Sequence, residues 1–189
     1  MDITAIADQI EKITSKAPSS GGVQRNVWFV GDLVVKKDQY GEDEPYCKQE
    51  HRNFLIFRDL ERKKGVQKFR FGRAWGTIKV PEMVLTGDDC IIAERAAGEH
   101  LLYWAKDCPE AACKDRKNKC PEAGNHDPIW CNDCYEYRFA THVKGCRIGK
   151  IIQGVDNYAE RYLGLEDMHH ENFLWDEETR TAWLVDIAE

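Results

Sequence analysis

The chain has 189 residues, of which 42% are hydrophobic and 32% are charged, and its formal net charge at pH 7 is -6. This composition is typical of a globular protein with its own core, and the acidic balance disfavours a broad nucleic-acid interface. No apolar run reaches the length of about 18 residues that a membrane-spanning helix needs. The acidic, amphipathic N-terminus does not resemble a secretory signal, so we expect a cytoplasmic protein that does not bind a membrane.

The N-terminal part of the sequence predicts a helix followed by a hairpin. Isoleucines spaced by three or four residues predict a helix over residues 2–14. A loop rich in Gly and Ser follows, and two strands are predicted at residues 27–30 and 33–37. The two-residue link that begins at Gly31 is typical of a tight hairpin turn.

Two adjacent lysines lie near the end of the second strand. Because side chains alternate between the faces of a strand, Val34 and Lys36 should share one face and Leu33 and Val35 the other. The neighbouring Lys37 is the alternative if the strand is shifted by one residue.

The middle of the chain predicts one long helix and two strands. Pro45 can begin a helix that runs to about Lys64 and ends at Gly65. Strand-like runs follow at residues 77–87 and 89–98, and the first should be broken or lie at a sheet edge because it contains a proline. The basic run at residues 61–73 is interpreted as solvated surface, with a phosphate or nucleic-acid contact as the alternative.

Glu50 falls on the apolar stripe of the predicted helix, four residues before Phe54. A carboxylate that faces the protein interior needs a cationic partner, because burial of an unpaired charge is costly. Lys48 and Arg52 are the nearest cationic side chains in the sequence and are candidate partners.

The C-terminal part joins a helix to a polar motif and a final strand. Apolar residues at helical spacing predict a helix over residues 147–163, with Gly164 as its C-cap. The motif Asp-x-His-x-x-Asn then begins at Asp167, and after a turn at residues 176–180 a hydrophobic strand ends at Asp186. Acidic and amide side chains in such an order predict a site rather than a simple connection.

These features together resemble the protein-kinase-like superfamily, most closely its aminoglycoside and choline kinase branch, whose catalytic loop reads Asp-x-His-x-x-Asn. The resemblance covers residues 13–100 and 147–189. It implies an α+β, compact two-lobed fold, with an N-lobe at residues 1–98 and a minimal helical C-lobe at residues 99–189. The chain ends three residues after Asp186, so the C-lobe is expected to be abbreviated.

The resemblance also implies roles for six side chains. Asp167 would orient and deprotonate the attacking hydroxyl, while Asn172 and Asp186 would hold Mg²⁺. Lys36 would contact the α- and β-phosphates of ATP, with Glu50 as its ion-pair partner. His169 would brace the loop.

Further nucleotide contacts follow from the same resemblance. The Gly-rich segment would cover the phosphates, a strand residue would face the nucleotide, and the hinge backbone would pair with adenine. The residues concerned are Ser19, Ser20, Gly21 and Gly22 in the Gly-rich segment, Val34 in the strand, and Glu94 and Ala96 in the hinge.

The function implied is ATP- and Mg²⁺-dependent phosphoryl transfer, with a protein serine or threonine as the acceptor. A small-molecule acceptor is the alternative within the kinases. An inactive pseudokinase that binds a nucleotide or a partner protein, and an enzyme that transfers the nucleotide to protein, are the alternatives outside them.

Six of the eight cysteines lie between Cys108 and Cys146, inside a polar segment at residues 104–146. In a reducing compartment such clustering favours a metal site over disulfides. The Cys-x-x-Cys pair at residues 131 and 134 is typical of a zinc knuckle, and any two further ligands would complete a tetrahedral site. The candidate ligands are Cys108, Cys113, Cys120, Cys131 and Cys134, with His126 and Cys146 nearby. Cys47 and Cys90 stand apart and should be buried small hydrophobic residues.

The purified protein should therefore carry about one zinc ion per chain. Cys131→Ser should lose the metal and lower the melting temperature, because a polar segment without its own core depends on metal for its stability. Elemental analysis and thermal unfolding measure both quantities. Metal-free protein with full stability would contradict the prediction.

Overall fold

The computed structural model describes residues 9–21, 25–39, 45–101, 147–165 and 172–188. Within these residues the protein is a mixed α+β structure with two small β-sheets, which confirms the predicted α+β class. The elements in chain order are α1 (Ile10–Thr14), β1 (Ser20–Gly21), β2 (Arg25–Val30), β3 (Leu33–Asp38), α2 (Tyr46–Lys64), β4 (Lys68–Phe71), β5 (Ala74–Lys79), β6 (Met83–Thr86), β7 (Cys90–Glu94), α3 (Arg147–Leu163), β8 (Phe173–Asp176) and β9 (Thr181–Leu184).

The first sheet, sheet A, is antiparallel throughout and has the strand order β1-β2-β3-β7-β6. The predicted hairpin is confirmed, because Val30 pairs with Leu33 and Gly31 supplies the positive φ of 62° that the tight turn needs. The predicted alternation in β3 is also confirmed, since Leu33 and Val35 are buried and Val34 and Lys36 are partly exposed.

Helix α2 follows the predicted bounds closely. Its N-cap residue is Pro45, and Gly65 ends it with a φ of 74°. The side chain of Asp38, at the end of β3, accepts a hydrogen bond from the Cys47 N–H at 3.2 Å. That bond satisfies one of the unpaired N–H groups of the first turn and fixes the start of α2 beside sheet A. The buried face of α2 carries Cys47, Glu50, Asn53, Phe54 and Phe57.

The second sheet, sheet B, combines two hairpins that are distant in sequence. Its strand order is β4-β5-β9-β8, and β5 pairs with β9 in parallel while the other neighbours are antiparallel. The break expected around Pro81 is confirmed, because β5 lies in sheet B and β6 is the edge strand of sheet A. The basic run at 61–73 is not wholly solvated surface: Gln67 and Phe69 are buried and the run contains β4.

Helix α3 packs on sheet B and ends as predicted at Gly164, which has a φ of 71°. The packing is close, since a Cβ on Gly154 would lie 2.9 Å from the Cε2 atom of Phe69. The largest core cluster includes side chains from α2, α3 and both sheets. A smaller cluster, centred on Trp28, Val35 and Ile92, lies on the other face of sheet A and contacts α1.

The two isolated cysteines are buried, as predicted. Burial and the nearby Asp38 raise the pKa of the Cys47 thiol, and burial raises the pKa of the Cys90 thiol to about 11. Both side chains therefore act as small core residues. In the described parts of the chain, no helix is both long enough and apolar enough to cross a membrane. The predicted N-terminal helix is confirmed over Ile10–Thr14, and its first residues lie outside the described ranges.

Candidate functional site

The predicted pair of Lys36 and Glu50 forms in the structure. The Lys36 Nζ atom lies 2.6 Å from Glu50 Oε1, in a position where Glu50 is 1% exposed. Lys36 comes from the centre of sheet A, between β2 and β7, and Glu50 comes from the inward face of α2. The ion pair therefore joins the helix to the sheet, and the alternative partners Lys48 and Arg52 are not needed to explain the burial of Glu50.

The neighbouring Lys37 does not compete for this position. Its side chain is 40% exposed and its Nζ atom lies 3.8 Å from Asp89 at the surface. Since adjacent strand residues face opposite sides of a sheet, the inward orientation of Lys36 excludes the same orientation for Lys37. The predicted register of β3 is therefore confirmed.

Arg25, the first residue of β2, is a third member of the cluster that the sequence analysis did not identify. One guanidinium nitrogen, Nη1, donates to Glu50 Oε2, and the other, Nη2, donates to Asp186 Oδ1. The Arg25 side chain is 7% exposed. Glu50 thus accepts hydrogen bonds from two cations that belong to neighbouring strands, and Arg25 links it to Asp186.

Asp186 is positioned by the segment that follows β9. The carbonyl oxygen of Asn172 accepts hydrogen bonds from the N–H groups of Val185 and Asp186, at 2.9 and 3.2 Å. Lys36 Nζ donates to the Val185 carbonyl oxygen, and Asn53 Nδ2 of α2 donates to the Ile187 carbonyl oxygen at 2.6 Å. Sheet A, α2 and the C-terminal segment therefore meet at one point.

The four charges of this cluster balance, because two cations, Arg25 and Lys36, face two carboxylates, Glu50 and Asp186. Burial alone would lower the pKa of Arg25, but attraction to Glu50 and Asp186 outweighs it and raises that pKa. The guanidinium is therefore charged over the whole working pH range. The Asp186 side chain is 44% exposed, so it is the member of the cluster that solvent reaches most easily.

The register of the hairpin could have revealed Arg25. A two-residue turn at Gly31-Asp32 fixes the pairing of β2 with β3, and the structure pairs Val27 with Lys36 and Arg25 with Asp38. Arg25 is therefore on the same face as Lys36 and diagonal to it. The predicted strand began only at residue 27, so this extension was missed.

Several of the predicted nucleotide contacts lie in or next to sheet A. The backbone of Ser20 and Gly21 forms β1, which pairs with β2 through Val27 and Asn26. Gly22 lies outside the described residues. Residues 20–21 of the Gly-rich segment therefore lie beside β2.

The predicted strand and hinge residues lie further along the same sheet. Val34 of β3 pairs with Ala93 of β7 and is partly exposed. Glu94 is the last residue of β7, its N–H donates to the Glu82 carbonyl oxygen at 2.8 Å, and Ala96 follows it. Two N–H groups of the predicted hinge are thus already used within the protein, since that of Arg95 donates to the Asp32 carbonyl oxygen at 2.8 Å.

Several predicted site residues lie outside the described residues. They are Asp167, His169, His126, Cys108, Cys113, Cys120, Cys131, Cys134 and Cys146. Among the described residues, no group of three or more His, Cys, Asp or Glu side chains could hold a metal ion. The zinc site and the catalytic base therefore stay predictions.

Comparisons of the chain with protein-family models, with curated proteins and with solved structures found no match. The resemblance to the protein-kinase-like superfamily accordingly stays a prediction, and the function has to be inferred from the residues and their geometry.

Replacement of Glu50 by its neutral isostere should reveal how much the ion cluster stabilises the fold. In Glu50→Gln the charges of Arg25 and Lys36 would lose their buried partner, so the free energy of unfolding should fall by about 3 kcal/mol. Urea denaturation, with a midpoint shift at constant m-value, measures this loss.

Glu61→Gln is the matched control on the same helix. Glu61 pairs with Arg58 near the surface, and such exposed pairs contribute less than about 1 kcal/mol. Equal losses for Glu50→Gln and Glu61→Gln would show that the buried cluster has no special role in stability.

Proposed function

We propose that this protein is an ATP- and Mg²⁺-dependent phosphotransferase that acts on a protein hydroxyl group. The observation that carries the proposal is the convergence of Lys36, Glu50 and Asp186, which come from β3, α2 and the segment after β9. Phosphoryl transfer depends on positioned charges more than on covalent chemistry. A cluster that holds an inward-facing lysine beside a solvent-accessible carboxylate offers that kind of environment.

The donor atoms fit the cation that the proposal requires. Mg²⁺ prefers oxygen ligands, keeps several waters and is held by one or two protein groups together with substrate phosphates. The Asp186 side chain is 44% exposed. Asn172 lies beside it, because the Asn172 carbonyl oxygen accepts a hydrogen bond from the Asp186 N–H. In the proposal these two residues hold Mg²⁺, which when bound would neutralise charge on the phosphates.

The remaining residues have positioning and proton-transfer roles. Lys36, held by Glu50, would bind phosphate oxygens, and the Gly-rich segment at residues 19–22 would lie over them. Val34 would face the nucleotide, and the backbone from Glu94 to Ala96 would bind the base. Asp167 would hold the acceptor hydroxyl and take its proton, which needs a base within hydrogen-bond reach.

In the proposed function the protein would have a two-lobed, kinase-like fold. Sheet A and α2 would be the N-lobe, residues 1–98, and residues 99–189 would be an abbreviated C-lobe with a zinc-bound insertion at residues 104–146. Since β5 pairs with β9, sheet B would connect the lobes directly. That connection would hold Asp186 at a constant distance from Lys36.

A nucleotide-binding module without turnover is the second candidate, and one observation favours it. Arg25 donates to the carboxylate of Asp186, the residue that would hold the metal. An enzyme must release that contact or work around it, whereas a pseudokinase can retain it and still bind a nucleotide or a partner protein.

Two adjacent lysines provide a matched test of nucleotide binding. Lys36→Met should weaken ATP binding by about tenfold or more, because it removes a charged hydrogen bond to phosphate. Lys37→Met removes the same charge from the outer side of β3 and should bind ATP like the wild type. Calorimetric titration measures both. Equal effects would contradict the assignment of Lys36 to the phosphates.

Two aspartates separate an enzyme from a binding module. Asp186→Asn should lose both Mg²⁺-dependent ATP binding and transfer, because it removes a metal ligand. Asp167→Asn should keep ATP binding while transfer falls by about 10² or more, the usual contribution of a positioned base. ATP labelled at the γ- or the α-phosphate, incubated with protein and a cell lysate, distinguishes phosphoryl from nucleotidyl transfer.

Asp88→Asn is the control, since Asp88 is exposed and pairs only loosely with Lys48 at 3.7 Å. Normal ATP binding by the wild type without transfer of either label would favour the binding module. Full transfer by Asp167→Asn would show that the catalytic assignment is wrong.

A further inference from the structure

Arg25 is the member of the ion cluster that the proposed function does not use. The proposed phosphate contact needs one lysine and one buried glutamate, and Lys36 and Glu50 already form that pair at 2.6 Å. Arg25 nevertheless directs its guanidinium into the same site, with Nη1 on Glu50 and Nη2 on Asp186. Arg25 is therefore a second cation beside Glu50, with a side chain that is 7% exposed, and its presence requires a physical explanation.

The contact with Asp186 uses the carboxylate that the proposal assigns to the metal. An arginine guanidinium stays charged at every working pH, so Arg25 cannot become neutral when another cation approaches. A divalent cation on Asp186 would lie within about 5 Å of this fixed charge, and at that separation the repulsion is substantial even in a well-solvated site.

We infer that Arg25 is an internal counter-cation of Asp186, and that it competes with a divalent cation for this carboxylate. The inference rests on the proposed function for the identity of the site and concerns its regulation. In the metal-free protein Arg25 neutralises Asp186. Binding of a divalent cation there requires the guanidinium to release Asp186 while it retains Glu50.

The two contacts of Arg25 are unequal, which makes such a release possible. Glu50 is 1% exposed and Asp186 is 44% exposed. Water can replace Arg25 at Asp186 at little cost, but it cannot easily replace Arg25 at the buried Glu50. Arg25 is the first residue of β2, where it pairs with Asp38 of β3.

Binding of Mn²⁺ in the absence of nucleotide tests the competition directly, with electron paramagnetic resonance as the readout of free metal. Arg25→Gln should bind Mn²⁺ roughly tenfold more tightly than the wild type, because the repelling charge is removed. Asp186→Asn in the Arg25→Gln background should abolish the gain. Equal affinity in wild type and Arg25→Gln, or no binding by either, would overturn the inference.

Arg62→Gln is the control for net charge. It removes one positive charge from an exposed position on α2, about 18 Å along the helix from Glu50. Its Mn²⁺ affinity should equal that of the wild type. The same gain in Arg62→Gln as in Arg25→Gln would mean that overall charge, and not the contact with Asp186, controls the affinity, and would also overturn the inference.

A measurement on the wild-type protein does not depend on the folding of Arg25→Gln. Nitrogen-15 spectra of the arginine side chains should show slow rotation of the Arg25 guanidinium while it is held by two carboxylates, and Arg25→Lys assigns that signal. Titration with Mg²⁺ should shift the signal as Asp186 is released. If Mg²⁺ changes the Asp186 backbone signal but not the Arg25 side-chain signal, the competition is contradicted. The same holds if Mg²⁺ changes neither signal.

The two proposals can fail separately. If the chain binds no nucleotide but Arg25→Gln gains Mn²⁺ affinity through Asp186, the proposed function falls and the competition stands. If ATP binds with Mg²⁺ and Arg25→Gln does not change metal affinity, the competition falls and the proposed function stands.

Discussion

Glu50 carries a carboxylate that is 1% exposed and accepts hydrogen bonds from Arg25 and Lys36. An unpaired charge at this depth would destabilise the fold strongly, so α2 has to keep Glu50 against both cations. Because the cations come from adjacent strands, this requirement fixes the position of α2 on sheet A. Asn53, one turn further along, extends the same constraint to the segment after β9.

Sheet B determines where that last segment lies. The parallel pairing of β5 with β9 places Thr181 beside Thr77, and β9 then ends directly before Val185 and Asp186. The carbonyl oxygen of Asn172 accepts hydrogen bonds from both of these residues and keeps the turn after β9 closed. Lys36 reaches the same turn through the Val185 carbonyl oxygen. The site therefore depends on contacts between residues more than a hundred positions apart.

Local patterns predicted the elements well, and long-range pairing explains what they missed. Turn glycines, strand alternation and helical spacing identified the β2–β3 hairpin, α2 and α3, because these signals depend on neighbouring residues. The inward face of one helix indicated that Glu50 needs a cationic partner, and the resemblance to the kinase-like superfamily implied that this partner is Lys36. Strand β4 was missed because it lies in a basic run, and the β5–β9 pairing has no local signal. Arg25 was missed because its partner Asp186 is far away in the sequence.

The neutrality of the cluster bears on the kind of ligand that the site can accept. Both cations already share hydrogen bonds with carboxylates, so a phosphate group alone would have to draw Lys36 or Arg25 away from Glu50 or Asp186. A divalent cation alone would meet the charge of Arg25. If both ligands enter together, Asp186 exchanges Arg25 for the metal, and the released guanidinium arm is free to compensate the phosphate charge. Under the proposed function, a balanced cluster of this kind would favour a metal–phosphate pair over either ion alone, because each ligand would remove the electrostatic obstacle that the other would face.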